Sequence, residues 1–278
     1  MLRRQRKKMG RVPALWLVTL CVAVVPAFSQ TESGKDKARP VTRATLYGIG
    51  PINLYETYLS PLEYSGTQLH ILRESSRPTT LFDGKVGRQS LFQGYIALAD
   101  NPTETADYMA GMLNWNYALH YRMPIPVERF QFGIGPMVQA HGGFIYNTRN
   151  GNNPAQAKLS ASLAASVSLS YCFNRLPISL RYQGDIPLLG AAFSPQYQQS
   201  YYEIFSLGHT DGIVRFTSLH NAPSMRHLLT ADYKIRKVTI RVGYMADFVQ
   251  TDFNHLKHHA YVHTFMLGIV KKFQPIEK

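Results

Sequence analysis

Ser218 and His220 are the two residues of this chain that come nearest to a nucleophile and its base. Residues two apart in a β-strand lie on the same face, so a histidine at this spacing can take the proton of a serine hydroxyl. Asn221 follows directly and would be the third polar group of such a site. Because any two polar residues at the end of a strand give the same pattern, we predict no enzyme and keep hydrolysis as the alternative.

Charged residues occupy the polar side of three alternating segments, 178–190, 226–235 and 238–250. If these segments are strands of a barrel, the charged side chains point into its lumen, where charges are normally paired because an isolated buried charge is costly. We predict a structural network of ion pairs, and a charge-lined channel or ligand site is the alternative. Its predicted members are Arg181, Asp185, Asp232, Lys234, Arg241 and Asp247.

The segment 147–154 is rich in asparagine and contains Asn-Gly and Asn-Pro, which favour turns because asparagine and glycine tolerate positive φ. Arg149 carries the planar group that binds a phosphate or carboxylate through two hydrogen bonds. Lipopolysaccharide phosphate would be such a partner outside the cell, but we favour a turn with a solvated arginine. The predicted extracellular loop residues are Asn147, Arg149, Asn150, Asn152 and Asn153.

Four histidines near the C-terminus raise the question of a metal site. Histidine is a common zinc ligand. The cluster contains no Cys, Asp or Glu, although Asp252 is near, and its spacing fits no metal motif known to us. We therefore predict exposed loop histidines, and neither a metal nor another cofactor. The four residues are His255, His258, His259 and His263.

The strands that would position these residues are indicated by a period of two, which is clearest in 159–173. Leucine, valine and aromatic residues share one face there, serine and other small residues share the other, and neither face carries a charge. The solvated face of a soluble sheet normally carries charged residues. The pattern therefore predicts an apolar face toward lipid and a polar lumen, in a barrel that is closed because lipid satisfies no backbone group. A soluble periplasmic β-protein is the alternative.

Twelve segments alternate in this way and predict an all-β fold, a closed antiparallel transmembrane β-barrel of about twelve strands. An even number leaves both chain ends at one periplasmic rim, which would hold short turns such as 174–177, 208–212 and 236–237. The eighth and ninth segments could be one strand with a bulge. The segments are 41–48, 66–74, 88–98, 107–122, 130–145, 158–173, 178–190, 201–207, 213–219, 226–235, 238–250 and 259–273.

The N-terminus has the layout of a secretory signal peptide, with basic residues, the apolar run 12–25, and small residues at Ala27 and Ser29. Its removal takes six positive charges from a formal net charge of +13, and the remaining +7 weakens the case for a nucleic-acid partner. It also leaves Cys172 as the single cysteine, so no internal disulfide is expected. We predict a signal peptide at 1–29, a short periplasmic segment at 30–40, the barrel at 41–273 and a tail at 274–278.

Several strings of the sequence resemble a Bacteroidetes family of exported proteins of unknown function. The resemblance extends over nearly all of the chain after the signal peptide. It implies an envelope protein of a Gram-negative bacterium and supplies no activity. The strings are ATLYGIG at 44–50, YLSPLEY at 58–64, YNTRNGNNPAQA at 146–157, SPQYQQSYYEIFSLG at 194–208 and TSLHNAPS at 217–224.

Two further resemblances concern outer-membrane barrels in general. The alternation that ends at Phe273 resembles the C-terminal signal by which such barrels reach their insertion machinery. Outer-membrane phospholipases and lipid A deacylases use a serine and a histidine two apart on a strand, although the phospholipase order is His-x-Ser and the order here is Ser-x-His.

These patterns together predict a protein of the Gram-negative outer membrane. Its expected role is a narrow or plugged channel, or a structural or binding protein of the envelope. The alternatives are a lipid-modifying barrel hydrolase and a soluble periplasmic protein. Expected partners are outer-membrane lipid, lipopolysaccharide and the insertion machinery, with a small solute as an option and no nucleic acid. Nothing in the sequence predicts the oligomeric state.

Overall fold

The computed structural model of the chain describes residues 40–151, 153–236 and 238–273. The predicted signal peptide and C-terminal tail lie outside the described residues, as does Asn152. Within the described part no helix is long and apolar enough to cross a bilayer.

Eleven strands and one short α-helix make up the described chain, with a single 3-10 turn at Leu81–Gly84. The elements are β1 (Val41–Glu56), β2 (Ser60–Pro78), β3 (Val86–Asp100), β4 (Asp107–Met123), β5 (Phe130–Asn147), β6 (Ala155–Cys172), β7 (Ile178–Phe193), α1 (Tyr201–Phe205), β8 (Val214–Ser218), β9 (Met225–Ile235), β10 (Val238–Phe253) and β11 (Leu256–Phe273).

The strands form a closed antiparallel barrel. Each strand from β1 to β7 pairs with the next one along the chain, β7 pairs with β9, and β9, β10 and β11 continue to β1. The ring therefore contains ten strands, and β8 lies outside it, paired only with the end of β7. We call the end of the barrel where β1 begins and β11 ends the terminal rim, and the opposite end the loop rim.

The prediction of about twelve strands is wrong in the region between β7 and β10. The predicted strand 201–207 contains the helix α1, which Ser200 and Glu203 begin with a capping box. The segments predicted as 213–219 and 226–235 both pair with β7, one after the other, so they occupy a single place in the wall. Aromatic and branched side chains in a short run suit either kind of element, whereas the Ser-x-x-Glu signature at residue 200 favours a helix.

The connections at the two rims are similar in length except for one long connection. The loop rim holds 57–59, 101–106, 148–154, 194–213 and 254–255, and the terminal rim holds 79–85, 124–129, 173–177 and 236–237. Only 194–213 is long, and it includes 208–212, which we had predicted as a short turn at the periplasmic rim. That prediction is wrong because the extra hairpin that would have moved the segment to the other rim does not form.

Large apolar side chains cover the outside of the wall. Ile96, Leu98, Phe265 and Leu267 are each at least 60% exposed, although they lie within strands. Their immediate neighbours in sequence, such as Ala97 and Met266, point inward and are buried. The alternation thus places the apolar face outside and the polar face inside, which is the arrangement of barrels that face lipid.

Candidate functional site in the barrel lumen

Near the terminal rim, a carboxylate is held between two guanidinium groups in the middle of the lumen. Glu74 on β2 accepts hydrogen bonds from Nη1 and Nη2 of Arg181 on β7 at 2.5 and 2.6 Å. Nη1 of Arg241 on β10 donates to the other side of the same carboxylate at 2.5 Å. Since β2 and β7 lie opposite each other in the ten-stranded ring, this contact crosses the full width of the lumen.

Arg241 also connects this centre to the wall. Its Nε and Nη2 donate to the carboxylate of Asp232 at 2.5 and 2.7 Å, and the two residues are direct partners in the β9–β10 ladder. Arg241 therefore has an anion on both sides, whereas Arg181 relies on Glu74 alone among the described residues.

A second ion pair lies deeper in the barrel, between Arg226 on β9 and Asp185 on β7. Arg226 donates to Asp185 from Nη2 at 2.6 Å and from Nε at 3.0 Å. The hydroxyl of Ser166 donates to the same carboxylate at 2.5 Å, and the Ser166 oxygen lies 2.8 Å from Nε2 of His120. Asp185 is almost completely buried, and a buried charged group is normally paired because an isolated one is costly.

Glutamines join the two charged centres into one network. Gln89 donates from its amide nitrogen to Glu74 and to Gln183, both at 2.8 Å, and Gln183 in turn donates to Asp185 at 3.1 Å. Gln93 donates to Asp247 at 3.2 Å and accepts from Arg226 on the opposite wall at 3.5 Å. Mutually bonded side chains from opposite walls therefore cross the lumen at this level.

The charged residues predicted for the lumen are placed as follows. Arg241 and Asp232 pair with each other, whereas Arg181 and Asp185 take partners from other strands. Asp247 is buried and bonded to Gln93. Lys234 lies exposed at the terminal rim and forms no ion pair with a described residue.

Sequence analysis missed Glu74 and Arg226, which complete the two ion-pair centres. Each lies two residues from a buried inward leucine on the same strand, Glu74 from Leu72 and Arg226 from Leu228. That spacing is the signal that could have placed them in the lumen. Glu74 lies between the basic residues Arg73 and Arg77, which obscure the alternation of this segment.

Toward the loop rim an apolar layer fills the side of the lumen formed by β11 and β1 to β5. The rings of Tyr64 and Tyr108 are stacked with centroids 3.6 Å apart, and both side chains are almost completely buried. Aliphatic side chains from five strands and two loop-rim turns surround them. The surrounding residues are Ile52, Leu54, Leu59, Ala97, Ala99, Ala106, Ala110, Ile145, Ala260 and Val262.

A chamber of about 90 Å³ lies beside the apolar layer and extends toward Ser194 at the loop rim. Its polar lining includes Asp247, the amide of Asn114, and the ion pair of Lys158 with Glu56, which is also in contact with His258. The Asn114 Oδ1 is buried and has no hydrogen-bond partner among the described residues. A chamber of this size and polarity has room for ordered water or a very small polar molecule.

The long connection 194–213 covers the loop rim. The hydroxyl of Tyr201 in α1 donates to Gln156 at 2.9 Å and accepts from the backbone N–H of Ala157 at 2.6 Å, so the helix is tied to β6. Asn254 in the opposite turn donates to the carbonyl of Ser194 at 3.0 Å. At the start of α1, the backbone N–H and hydroxyl of Ser200 donate to the carboxylate of Glu203, which lowers the pKa of that carboxyl.

The structure brings Ser218 and His220 into contact, with the hydroxyl hydrogen-bonded to Nδ1 of the imidazole. They lie on the outside of the barrel, since the neighbouring Thr217 is the residue buried in the wall. Asn221 does not contact the histidine: its Oδ1 accepts from the Ser218 backbone N–H at 2.8 Å and its Nδ2 donates to the Phe216 carbonyl at 2.9 Å. Among the described residues no carboxylate bonds to His220, so the pair lacks the group that orients a catalytic histidine.

The predicted extracellular loop is a turn at the loop rim in which the arginine contacts protein. Nη1 of Arg149 donates to the Thr105 carbonyl in the neighbouring turn at 2.6 Å. Oδ1 of Asn147 accepts from the Arg149 backbone N–H at 3.0 Å, and the Asn150 N–H donates to the Asn147 carbonyl at 3.4 Å. Asn153 has a φ of 51°, the conformation that favours asparagine in turns.

The prediction that the four histidines are exposed in a loop is wrong for three of them. Only His255 lies in the β10–β11 turn. His258 is buried inside the barrel against Glu56, whereas His259 and His263 lie on the outer face of β11 and contact Asn53 and Tyr244 at 2.7 Å. Because successive residues of a strand point to opposite faces, β11 separates these side chains. In the described part of the chain no three His, Cys, Asp or Glu side chains are placed to hold a metal ion.

Comparisons with known proteins agree with this architecture. A family model described as a protein of unknown function, DUF3316, matches residues 15–278. No curated protein matches the chain in sequence. The crystal structure of the outer membrane protease OmpT from Escherichia coli is similar with a TM-score of 0.52 at 8% identity, over 88% of this chain and 100% of that one. The transport unit of the autotransporter AIDA-I from Escherichia coli aligns with a TM-score of 0.47 at 7% identity, over 91% of this chain and 96% of that one. The OmpT likeness concerns the fold alone.

Proposed function

The chain belongs to the DUF3316 family of proteins of unknown function, and from this premise we propose that it is a plugged, non-conducting β-barrel of the Gram-negative outer membrane. After loss of the signal peptide, the terminal rim would face the periplasm and the covered loop rim the exterior. The role that follows is structural or binding, not the passage of solutes.

Two observations support the membrane location. The outer wall carries large apolar side chains on every side of the ring, including Ile96 on β3, Leu163 on β6 and Leu267 on β11. A soluble protein rarely leaves an apolar surface of this extent uncovered. The fold is also that of an outer-membrane barrel, as the likeness to OmpT indicates.

The contact that carries the proposal of a plugged lumen is the one between Glu74 and Arg181. It joins opposite strands of the ring at 2.5 and 2.6 Å, with the Glu74 side chain only 3% exposed. The stacked tyrosines Tyr64 and Tyr108 narrow the lumen further toward the loop rim. An ion that crosses the barrel would have to displace the bonded side chains around Glu74.

We expect the refolded protein to give no conductance steps in a planar bilayer, because the bonded side chains around Glu74 cross the full width of the lumen. Insertion is established first by heat-modifiable migration on a gel, so that silence cannot come from protein that failed to insert. Stable, ion-selective steps from the inserted wild-type protein would contradict the plugged lumen. In that case neutralising Arg181 and Arg241 would be the next measurement, with ion selectivity as the readout.

Lipid hydrolysis is the second candidate function, because Ser218 and His220 are in contact on the lipid-facing side of the wall. If the pair is catalytic, inserted protein hydrolyses ester bonds of added phospholipid, and Ser218→Ala reduces the rate more than about 1000-fold. Ser90→Ala is the matched control, since Ser90 is another hydroxyl of the outer wall and bonds to Trp115. Equal rates for wild type and both variants would remove this candidate.

A further inference from the structure

The two rims differ in the sign of their exposed charge. Exposed acidic residues collect at the loop rim, where they include Glu63, Asp100, Glu104, Asp107, Asp211 and Asp252. At the terminal rim the exposed acidic residues of the described chain are Asp83 and Glu128. The exposed basic residues of the terminal rim are Arg43, Arg73, Arg77, Lys85, Arg122, Arg129, Arg175, Lys234, Arg236, Lys271 and Lys272.

None of these basic residues forms an ion pair with a described residue. The carboxylate nearest in sequence to Arg73 is Glu74, but it points into the lumen and is bonded to Arg181 and Arg241. Within the described part of the chain, the positive charge at the terminal rim is therefore not neutralised by ion pairs with carboxylates.

Five basic residues gather on the outer wall across the adjacent strands β11, β1, β2 and β3. Four of them follow or precede a buried inward residue and so point outward, as Arg73 does between the buried Leu72 and Glu74, and Arg77 lies on the same face of β2 as Arg73. We call this group the basic patch; its members are Arg43, Arg73, Arg77, Arg88 and Lys271.

The basic patch contains like charges directly opposite each other in the ladders. Arg43 on β1 is the direct partner of Lys271 on β11, and Arg77 on β2 is the direct partner of Arg88 on β3. Such pairs destabilise a sheet unless something neutralises them. Arg43 also lies over the ring of Phe273 at 5.3 Å, a contact that offsets little of this repulsion. Two repulsive pairs side by side indicate that an anion normally lies against them.

The position of the basic patch identifies that anion. On these strands apolar outward residues begin within two outward positions toward the middle of the barrel, such as Ile269 on β11, Tyr47 on β1 and Phe92 on β3. A strand rises about 3.3 Å per residue, so Lys271 lies about 7 Å beyond Ile269 and at the level where a head group follows the acyl chains. A free phosphate would contact only the basic patch, whereas a phospholipid would contact both the basic patch and the apolar wall next to it.

We propose that the basic patch binds the phosphate head groups of anionic phospholipids in the leaflet at the terminal rim. The guanidinium groups bind phosphate oxygens through paired hydrogen bonds, and the acyl chains lie along the apolar wall above. The inference rests on the proposed membrane location and adds to it a preferred lipid class.

The test is lipid selectivity in vesicles of phosphatidylcholine, measured by electron spin resonance with spin-labelled phosphatidylglycerol or spin-labelled phosphatidylcholine. We expect the wild-type barrel to prefer the anionic lipid by about threefold or more. The triple variant Arg43→Gln, Arg73→Gln, Lys271→Gln is expected to lose this preference. The control variant Arg149→Gln, Arg215→Gln, Lys257→Gln removes the same charge from the loop rim and is expected to keep it.

The possible failures are distinguishable. No preference in the wild type, or an equal loss in both triple variants, would overturn the lipid site while leaving the barrel in the membrane. Absence of heat-modifiable migration in vesicles would instead contradict the proposed membrane location. Saturable binding of inorganic phosphate to the patch in detergent, with a dissociation constant below a millimolar, would reassign the site to free phosphate.

Discussion

Replacing Glu74 by glutamine is expected to lower the free energy of unfolding by about 3–5 kcal/mol. The substitution keeps the shape of the side chain and removes its charge, which leaves Arg181 without an anion in a closed lumen. Arg241 keeps Asp232 and is affected less. The measurement is a urea titration of the folded barrel in detergent micelles, followed by tryptophan fluorescence and by heat-modifiable migration.

Glu63→Gln is the matched control for this prediction. Glu63 lies on the same strand, β2, but is exposed at the loop rim, where it accepts a hydrogen bond from the amide of Asn53 at 3.4 Å. Its replacement is expected to change stability by no more than about 0.5 kcal/mol. Equal losses of unfolding free energy in the two variants would show that the burial and pairing of Glu74 do not stabilise the barrel.

The second large effect is expected for Arg226, whose loss leaves two carboxylates in the interior. Arg226→Met keeps much of the volume but removes the cation that Asp185 bonds to at 2.6 Å, in a region that also holds Asp247. We expect a loss of about 3–5 kcal/mol in the same urea titration. Combining it with Asp185→Asn is expected to recover part of this loss, because the double variant no longer buries that unpaired charge.

A double-mutant cycle separates the pair from its surroundings. With both single variants and the double variant, the coupling between Arg226 and Asp185 is expected to reach about 1–3 kcal/mol. Additive losses, with no coupling, would mean that the two side chains stabilise the barrel independently and that the network is not a connected plug. The adjacent pair Gln93 and Asp247 is left unchanged in all variants.

These predictions link stability to function. If the plug consists of strongly coupled charges, it is a fixed part of the wall and does not move aside for a solute. The chamber beside it, lined by Asn114 and Asp247, is then a lumen space that could hold a small molecule. The connection over the loop rim is tied down by Tyr201 and Asn254.

The sequence was sufficient for the kind of fold and for the direction in which most side chains point. In 159–173 the absence of charge on the serine-rich face indicated a lumen, and the structure places Ser166 there, bonded to Asp185. The period-two alternation likewise placed Arg181, Asp232 and Arg241 on the inward face of their strands. Side-chain direction in a strand depends only on local alternation, which a single sequence displays directly.

Strand number and the identity of each lumen partner came only from the tertiary structure. The composition of 201–207 suits a strand as well as a helix. Whether β8 and β9 occupy one position or two in the barrel wall depends on their pairing with β7. Glu74 and Arg181 are 107 positions apart in sequence, and they meet because a ring of ten strands puts β2 opposite β7. A ring of twelve would have given Glu74 a different partner. Local alternation thus determined which residues face the lumen, whereas closure of the ring, a property of all strands together, decided which of them touch.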